Sequence, residues 1–286
     1  IDPSSFPQGS RDVVIRPDQV QMPHFDDVTF PSLDGTPLTA YLIRCYRDRR
    51  PGAADDGAAD GDSEVLATDT LIFLHGNAGN IGHRLPLAFH FHTTVRCNVL
   101  LLSYRGYGKS GGAASERGIK QDVEAALLWV RGHPDLAGAR IVMYGQSIGG
   151  AAAIHAAALP AHRHTLAGLI LENTFTSLPR LVPHALPQIA WLSFLCTQRW
   201  PSDRDITRLD PRLPVLFLSG ARDELVPPTM MHELARLLYA SRAGRAAEAR
   251  GVRWRVFPAG THNDTCVQPG YFAEIGAFWA ERLLPR

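Results

Sequence analysis

Three residue types at three distant points of the chain could together cleave an acyl bond. Ser147 sits in Gly145-Gln146-Ser147-Ile148-Gly149-Gly150, between the apolar run Ile141-Val142-Met143-Tyr144 and the small-residue stretch from Ala151 to Leu159. A strand, a Gly-flanked serine and a helix in direct succession describe a nucleophile elbow, a turn so tight that backbone meets backbone and glycine is favoured beside the serine. The helix start would aim unpaired N–H groups at developing negative charge. The bland alternative is a tight turn in which the serine merely caps the helix. A serine hydroxyl is a weak nucleophile near neutral pH and needs a base, which needs an orienting acid. Of the twelve histidines, His262 in Gly260-Thr261-His262-Asn263-Asp264 is singled out, just past an apolar run ending at Phe257 and just before the last helical stretch. Asp223, in Gly220-Ala221-Arg222-Asp223-Glu224, holds the equivalent place after Val215-Leu216-Phe217-Leu218. Glu224 and Glu172 compete with it for the acid's place.

Acyl transfer also needs donors for a tetrahedral oxyanion. His75-Gly76-Asn77-Ala78-Gly79-Asn80 follows the apolar run Leu71-Ile72-Phe73-Leu74, so the backbone N–H groups of Asn77 and Ile148 are the candidate oxyanion hole. Two motifs are set aside. Tyr104-Arg105-Gly106-Tyr107-Gly108-Lys109-Ser110 ends in Gly-Lys-Ser, but Ser103 stands where a phosphate loop needs its first glycine, and no helix follows directly. The pairs His90/His92 and His162/His164 have no accompanying ligands and read as surface histidines rather than a zinc site. Asn263-Asp264-Thr265 is a formal glycosylation acceptor, taken as unmodified because a glycan there would obstruct His262.

The elements that must position these residues are legible as alternation. Phe25 to Phe30 and Leu38 to Ile43 form a hairpin through Asp34-Gly35. Later strands are expected at Thr70–Leu74, Asn98–Tyr104, Arg140–Tyr144, Leu166–Leu171, Pro214–Ser219 and Arg253–Phe257, each a short apolar run of the kind covered on both faces. Between them, Ile119, Val123, Ala126, Leu127 and Val130 make one helical stripe, with Ser115 as N-cap and Gly132 and Pro134 as the stop. Strands separated by helices imply a parallel sheet with right-handed crossovers, and an α/β fold in a single domain over residues 1–286. Three stretches fall outside the rhythm: a Gly/Ala/acid insertion at 51–64, a Pro-rich segment at 173–210, and an Arg/Ala-rich surface loop at 241–251. The second is read as a cap, with Trp191, Leu192, Phe194 and Leu195 lining an acyl-sized slot. The competing readings are a hydrophobic mini-core or a membrane-contact patch.

Composition excludes several classes. Lys and Arg number 29 against 28 Asp and Glu, which argues against binding nucleic acid through a general field. Cys45, Cys97, Cys196 and Cys266 are too scattered for a disulfide scaffold or Cys-rich zinc site and are expected as separate, mostly buried thiols. No apolar run approaches the about 20 residues that span a bilayer. The chain begins at Ile1, which leaves room for a removed targeting or anchoring segment.

The motifs at 75–80, 103–110, 145–150, 172–175, 220–227 and 260–264, with the order serine, acid, histidine, resemble the α/β-hydrolase superfamily over residues 25–285. They resemble most closely the fungal bud-emergence-protein-like serine hydrolases and the animal α/β-hydrolase-domain proteins that include protein depalmitoylases. The resemblance implies a mostly parallel sheet of about eight strands with helices on both faces and a small cap. It implies Ser147 as nucleophile, Asp223 as acid and His262 as base, with no cofactor and no metal. It also implies a membrane-associated protein with an anchor ahead of Ile1. The expected substrates are carboxylic esters or acyl thioesters, lipid-like or on acylated proteins. A serine peptidase and a non-catalytic scaffold on the same fold are the alternatives.

Overall fold

In the computed structural model, residues 9–47, 65–185, 196–243 and 251–283 are described. The hairpin pairs β1 (Phe25–Pro31) with β2 (Pro37–Ile43), and a two-residue ladder joins β3 (Tyr46–Arg47) to β4 (Val65–Leu66). The apolar runs become β5 (Asp69–Leu74), β6 (Asn98–Ser103), β7 (Arg140–Gln146), β8 (Leu166–Glu172), β9 (Val215–Gly220) and β10 (Val252–Phe257). The main sheet has eight strands in the order β1-β2-β6-β5-β7-β8-β9-β10. The six strands from β6 to β10 run parallel, and β2 is antiparallel to both its neighbours. Every residue of β5, β6 and β9 is buried, as expected for strands covered on both faces.

The helices are α1 (Leu85–Val95), α2 (Glu116–Gly132), α3 (Ile148–Ala158), α4 (Leu178–Ala185), α5 (Ser202–Asp205), α6 (Pro228–Ser241) and α7 (Tyr271–Phe278). They divide between two cores, one on each face of the sheet. Ile119, Val123, Ala126, Leu127 and Val130 of α2 join residues of α3 and α6 on one face, while α1 and α7 cover the other. Ser115 caps α2 by accepting the Gly118 N–H. This is the α/β-hydrolase fold.

Several expectations need correction. His162 is not a surface residue: it is buried, with Nε2 bonded to Glu124 at 3.1 Å. The stretch 241–251 does not begin as a surface loop, because Ser241 ends α6 and Arg242 is buried, donating to the carbonyls of Asp210 and Leu213. Residues 244–250 lie outside the described residues, as do the 51–64 insertion and Trp191, Leu192, Phe194 and Leu195. Of the segment 173–210, the described residues Phe175, Leu181, Trp200, Ile206 and Leu209 belong to the core on the α2 face. Cys45 and Cys97 are buried, whereas Cys196 and Cys266 are only half-buried.

A buried charge cluster ties the hairpin to α2. Arg105 donates to both oxygens of fully buried Asp122, to Ser32 Oγ and to both oxygens of Asp34. These Arg105 bonds hold the Asp34 carboxyl well below the usual carboxylate range. Removing one partner of such a pair strands the other charge in the interior. Arg105→Met is therefore expected to lower unfolding free energy by about 3 kcal/mol in urea titrations; a loss under about 0.5 kcal/mol would show the cluster to be dispensable.

Candidate active site

Strands β5 and β7 are neighbours, yet the chain leaves β5 for β6 on one side before β7 returns on the other. In open parallel sheets, ligands gather outside the carboxyl ends of the strands at such a reversal. The loops that emerge there carry His75–Asn80 and Ser147.

Ser147 turns the chain from β7 into α3 at φ 55° and ψ −119°, a conformation rarely adopted by residues with a side chain. It stands at the N-cap position, but its hydroxyl makes no capping bond. That disfavours the bland reading of the elbow, and the residue is half-buried, within reach of solvent. The turn closes because Gly149 passes over the end of β5: a Cβ there would sit 2.1 Å from the Leu74 carbonyl oxygen. A Cβ on Gly145 would likewise meet the Gly149 carbonyl at 2.4 Å.

His262 and Asp223 meet across the ends of β9 and β10. His262 Nδ1 lies 2.8 Å from Asp223 Oδ2, with the two side chains 8% and 1% exposed. The other Asp223 oxygen accepts the N–H groups of Leu225 at 2.9 Å and Val226 at 2.7 Å, which fixes the carboxylate independently of the ring. The His262 carbonyl accepts from Gln146 Nε2 at 3.2 Å and Asn173 Nδ2 at 3.3 Å, so the histidine loop is tied to the residue preceding the serine. Among the described residues, no hydrogen bond joins the Ser147 hydroxyl to the imidazole; such bonds are often long or misaligned before substrate binds.

The competing acids are occupied elsewhere. Glu224 accepts the His262 backbone N–H at 3.2 Å rather than a ring N–H. Glu172 is fully buried beneath the phenols of Tyr144, at 2.7 Å, and Tyr271. Burial pushes its carboxyl upward against those hydrogen bonds.

The loop after β5 is clamped by aromatic residues. His75 Nδ1 donates to the Gly76 carbonyl at 2.7 Å, Tyr104 donates to the His75 carbonyl at 3.0 Å, and Tyr107 reaches the Asn77 carbonyl at 3.0 Å and its Oδ1 at 2.9 Å. Holding the Gly76 carbonyl fixes the plane of the peptide whose N–H belongs to Asn77. A Cβ on Gly76 would come 3.8 Å from that of Ser147, so loop and elbow are in contact. The N-terminal strap completes the rim, with the Ser10 carbonyl accepting from Gly108 at 2.7 Å and the Asp12 carbonyl from Asn80 Nδ2 at 3.0 Å. Neither the strap nor the tyrosine clamp was foreseen from sequence; the clamp's only trace was the 103–110 motif, read as a rejected phosphate loop and as one of the hydrolase-like stretches.

A parallel sheet with this order, carrying a serine at a positive-φ elbow and a histidine–aspartate pair beyond it, defines the α/β-hydrolase class. The chain belongs to that family, whose profile, described as alpha/beta hydrolase fold, matches residues 69–194. Protein bem46 of Schizosaccharomyces pombe is 40% identical over 280 residues, covering 98% of this chain and 84% of that one. A Saccharomyces cerevisiae protein named as an uncharacterized membrane protein is 32% identical over 278 residues, covering 97% of this chain and 87% of the relative. Among solved structures, an esterase of Pyrococcus furiosus superposes with a TM-score of 0.72 at 19% identity, over 96% of this chain and 97% of that one, a likeness of fold. No helix among the described residues is long and apolar enough to cross a membrane.

His75 supplies a pH test of the clamp. Burial, with the nearby Arg84 charge, pushes its imidazole down to about 3 from an ordinary 6.5. The fold accepts only the neutral ring. Its contribution is therefore complete above about pH 6.5 and is lost as pH falls toward about 3, at about 1.4 kcal/mol per unit. His75→Asn should flatten the wild-type decline in urea stability between pH 6.5 and 4; an unchanged slope would assign that decline to other groups.

Proposed function

We propose that the protein is a serine hydrolase of carboxylic esters or acyl thioesters, acting through an acyl-enzyme on Ser147. The observation that best supports this is the 2.8 Å bond from His262 Nδ1 to a carboxylate otherwise satisfied by backbone. With Nδ1 donating to Asp223, the other ring nitrogen is left bare to accept a proton. On this reading His262 takes the Ser147 proton as the hydroxyl oxygen bonds to the acyl carbon, and Asp223 stabilises the imidazolium. The carbonyl oxygen, negative in the tetrahedral intermediate, is met by the N–H groups of Asn77 and Ile148; one such donor is worth roughly 3 kcal/mol. The intermediate collapses as His262 returns the proton to the departing alcohol or thiol. Water, activated by the same imidazole, then releases the acid and regenerates the serine.

Ile148 is the first residue of α3, so its N–H has no acceptor within the helix. Thr174 Oγ1 donates to the Ser147 carbonyl at 2.7 Å and further pins the elbow. Work at a membrane surface is part of the proposal, supported by the yeast relative's name as a membrane protein. The acyl slot expected from Trp191, Leu192, Phe194 and Leu195 lies outside the described residues and stays a proposal. It predicts that turnover of p-nitrophenyl esters rises with chain length, and a flat profile would dispose of it.

Ser147→Ala should abolish fluorophosphonate labelling and lower turnover by about six decades, and Asp223→Asn by about four. If Asp223→Asn stays within threefold of wild type while Glu172→Gln is inactive, the acid is misassigned. Absence of labelling in the folded, unsubstituted protein would favour the scaffold alternative.

A further inference from the structure

Beside the catalytic edge lies a groove of about 540 Å³, within the size range of small-molecule sites. It runs between the start of α1 and the segment leading into α7, with Leu87, Val267 and Phe272 among its apolar walls. Gln146 and Asn263, chain neighbours of Ser147 and His262, also line it. The groove therefore lies against the residues that flank Ser147 and His262, although neither of those two lines it.

Its charge is one-sided. Arg84 lines the groove, with His83 and His90, and no described residue of the lining carries a carboxylate. Among the described residues Arg84 forms no ion pair: Nη2 donates to the Ala78 carbonyl at 2.6 Å, while Nε is buried with no hydrogen-bond partner there. His83 Nδ1 accepts the Asn80 N–H at 3.1 Å, which leaves its Nε2 as the donor. Helix α7 begins at this groove, at Gly270, without a side-chain cap, adding the positive end of a helix dipole. The acids nearby are engaged or set apart. Asp264 accepts the Thr261 N–H, Glu172 is sealed beneath Tyr271, and exposed Asp12 lines an adjoining hollow without pairing to Arg84.

We propose that this groove is a binding subsite for a single-chain anionic amphiphile, its chain along Leu87, Val267 and Phe272 and its compact anion, carboxylate or phosphate, at Arg84. The inference rests on the hydrolase reading for its meaning, since it makes esters bearing a negative charge the favoured substrate class. An apolar trough alone would take any chain; a guanidinium lining it, with no acid partner among the described residues, is what selects an anion. The alternative role for Arg84 is to brace the Asn77–Asn80 loop through the Ala78 carbonyl, which would not discriminate between ligand charges.

The test is calorimetric titration of the full-length Ser147→Ala protein with octanoate, octyl phosphate and 1-octanol. At least one anion should bind about tenfold or more tightly than the alcohol, and the ranking of the two anions tells a carboxylate site from a phosphate site. Adding Arg84→Gln should bring anions and alcohol within threefold, and Arg84→Lys should retain part of the preference. Equal affinity for all three ligands, or a preference that survives Arg84→Gln, overturns the proposal. Should Arg84→Gln fail to fold, the comparison of anions with octanol in the Ser147→Ala protein still decides. Turnover of p-nitrophenyl octanoate by the unsubstituted protein reads the catalytic reading separately: turnover without anion preference sinks the subsite alone, and anion preference without turnover sinks the hydrolase reading.

Discussion

Helix α3 must start in contact with the end of β5, and the geometry of the carboxyl edge follows from that approach. Leu74 and Gly145 are paired across β5 and β7, so the two strands end side by side. The chain then reverses from strand to helix at Ser147, and Gly149 lies where even a methyl group would collide with the Leu74 carbonyl. A non-glycine residue at such a positive φ costs of order 1–3 kcal/mol and persists only where its surroundings over-determine it. Here the surroundings are β5, buried throughout, and β7, buried from Ile141 onward. The relation between Ser147 and the loop after β5 is thus set by strand pairing in the core, not by the loops' own preferences.

The same logic explains the loop after β6. Its Gly-Lys-Ser ending suggested phosphate binding only to be rejected on spacing. Apart from exposed Lys109, its residues instead look inward. Tyr104 and Tyr107 hold the backbone of His75 and Asn77, and their rings flank the His75 imidazole at 4.4 and 5.0 Å. Arg105, between them, is anchored in the Asp122 cluster. One short loop therefore fastens the oxyanion candidate to the hairpin and to α2 at once. A backbone N–H acts as an oxyanion donor only if it is held in place before charge develops, and phenols on a buried scaffold provide that without relying on a mobile loop.

Much of the sheet was legible because buried parallel strands have few ways to be written. All eight long runs became strands, most within a residue of their expected ends, since the central ones are apolar on both faces and the runs are bounded by turn chemistry. The placement of Ser147, His262 and Asp223 just past strand ends was legible for a related reason: such residues gather at one edge of a parallel sheet whatever their separation in sequence. What sequence hid were contacts made by backbone and by side chains of ordinary type. Nothing in the pattern marks Gln146 and Asn173 as the amides that hold the His262 carbonyl, or residues 9–12 as a strap over the loops. His162 misled because an isolated polar residue between strands reads as exposed, whereas Glu124, from the middle of α2, supplies it a buried partner.

The two carboxylates at the sheet edge show most clearly how position and environment divide the work. Glu172 ends β8 and Asp223 follows β9, so by topology alone either could face the histidine. Their oxygens differ in what surrounds them. Asp223 has two backbone N–H groups on one oxygen and the imidazole on the other, a donor set suited to a carboxylate that must orient a ring and meet its positive charge. Glu172 takes its hydrogen bonds from two phenols and the Gln146 amide at 3.4 Å, with the charges of His262 and Arg84 acting only from a distance. Full burial then dominates and favours its neutral form. A carboxyl locked under two tyrosines, its ionised form disfavoured by burial, braces the floor of the crevice. The choice between them is made by partners contributed from elsewhere in the fold: the turn at Leu225 and Val226 for one, Tyr144 and Tyr271 for the other.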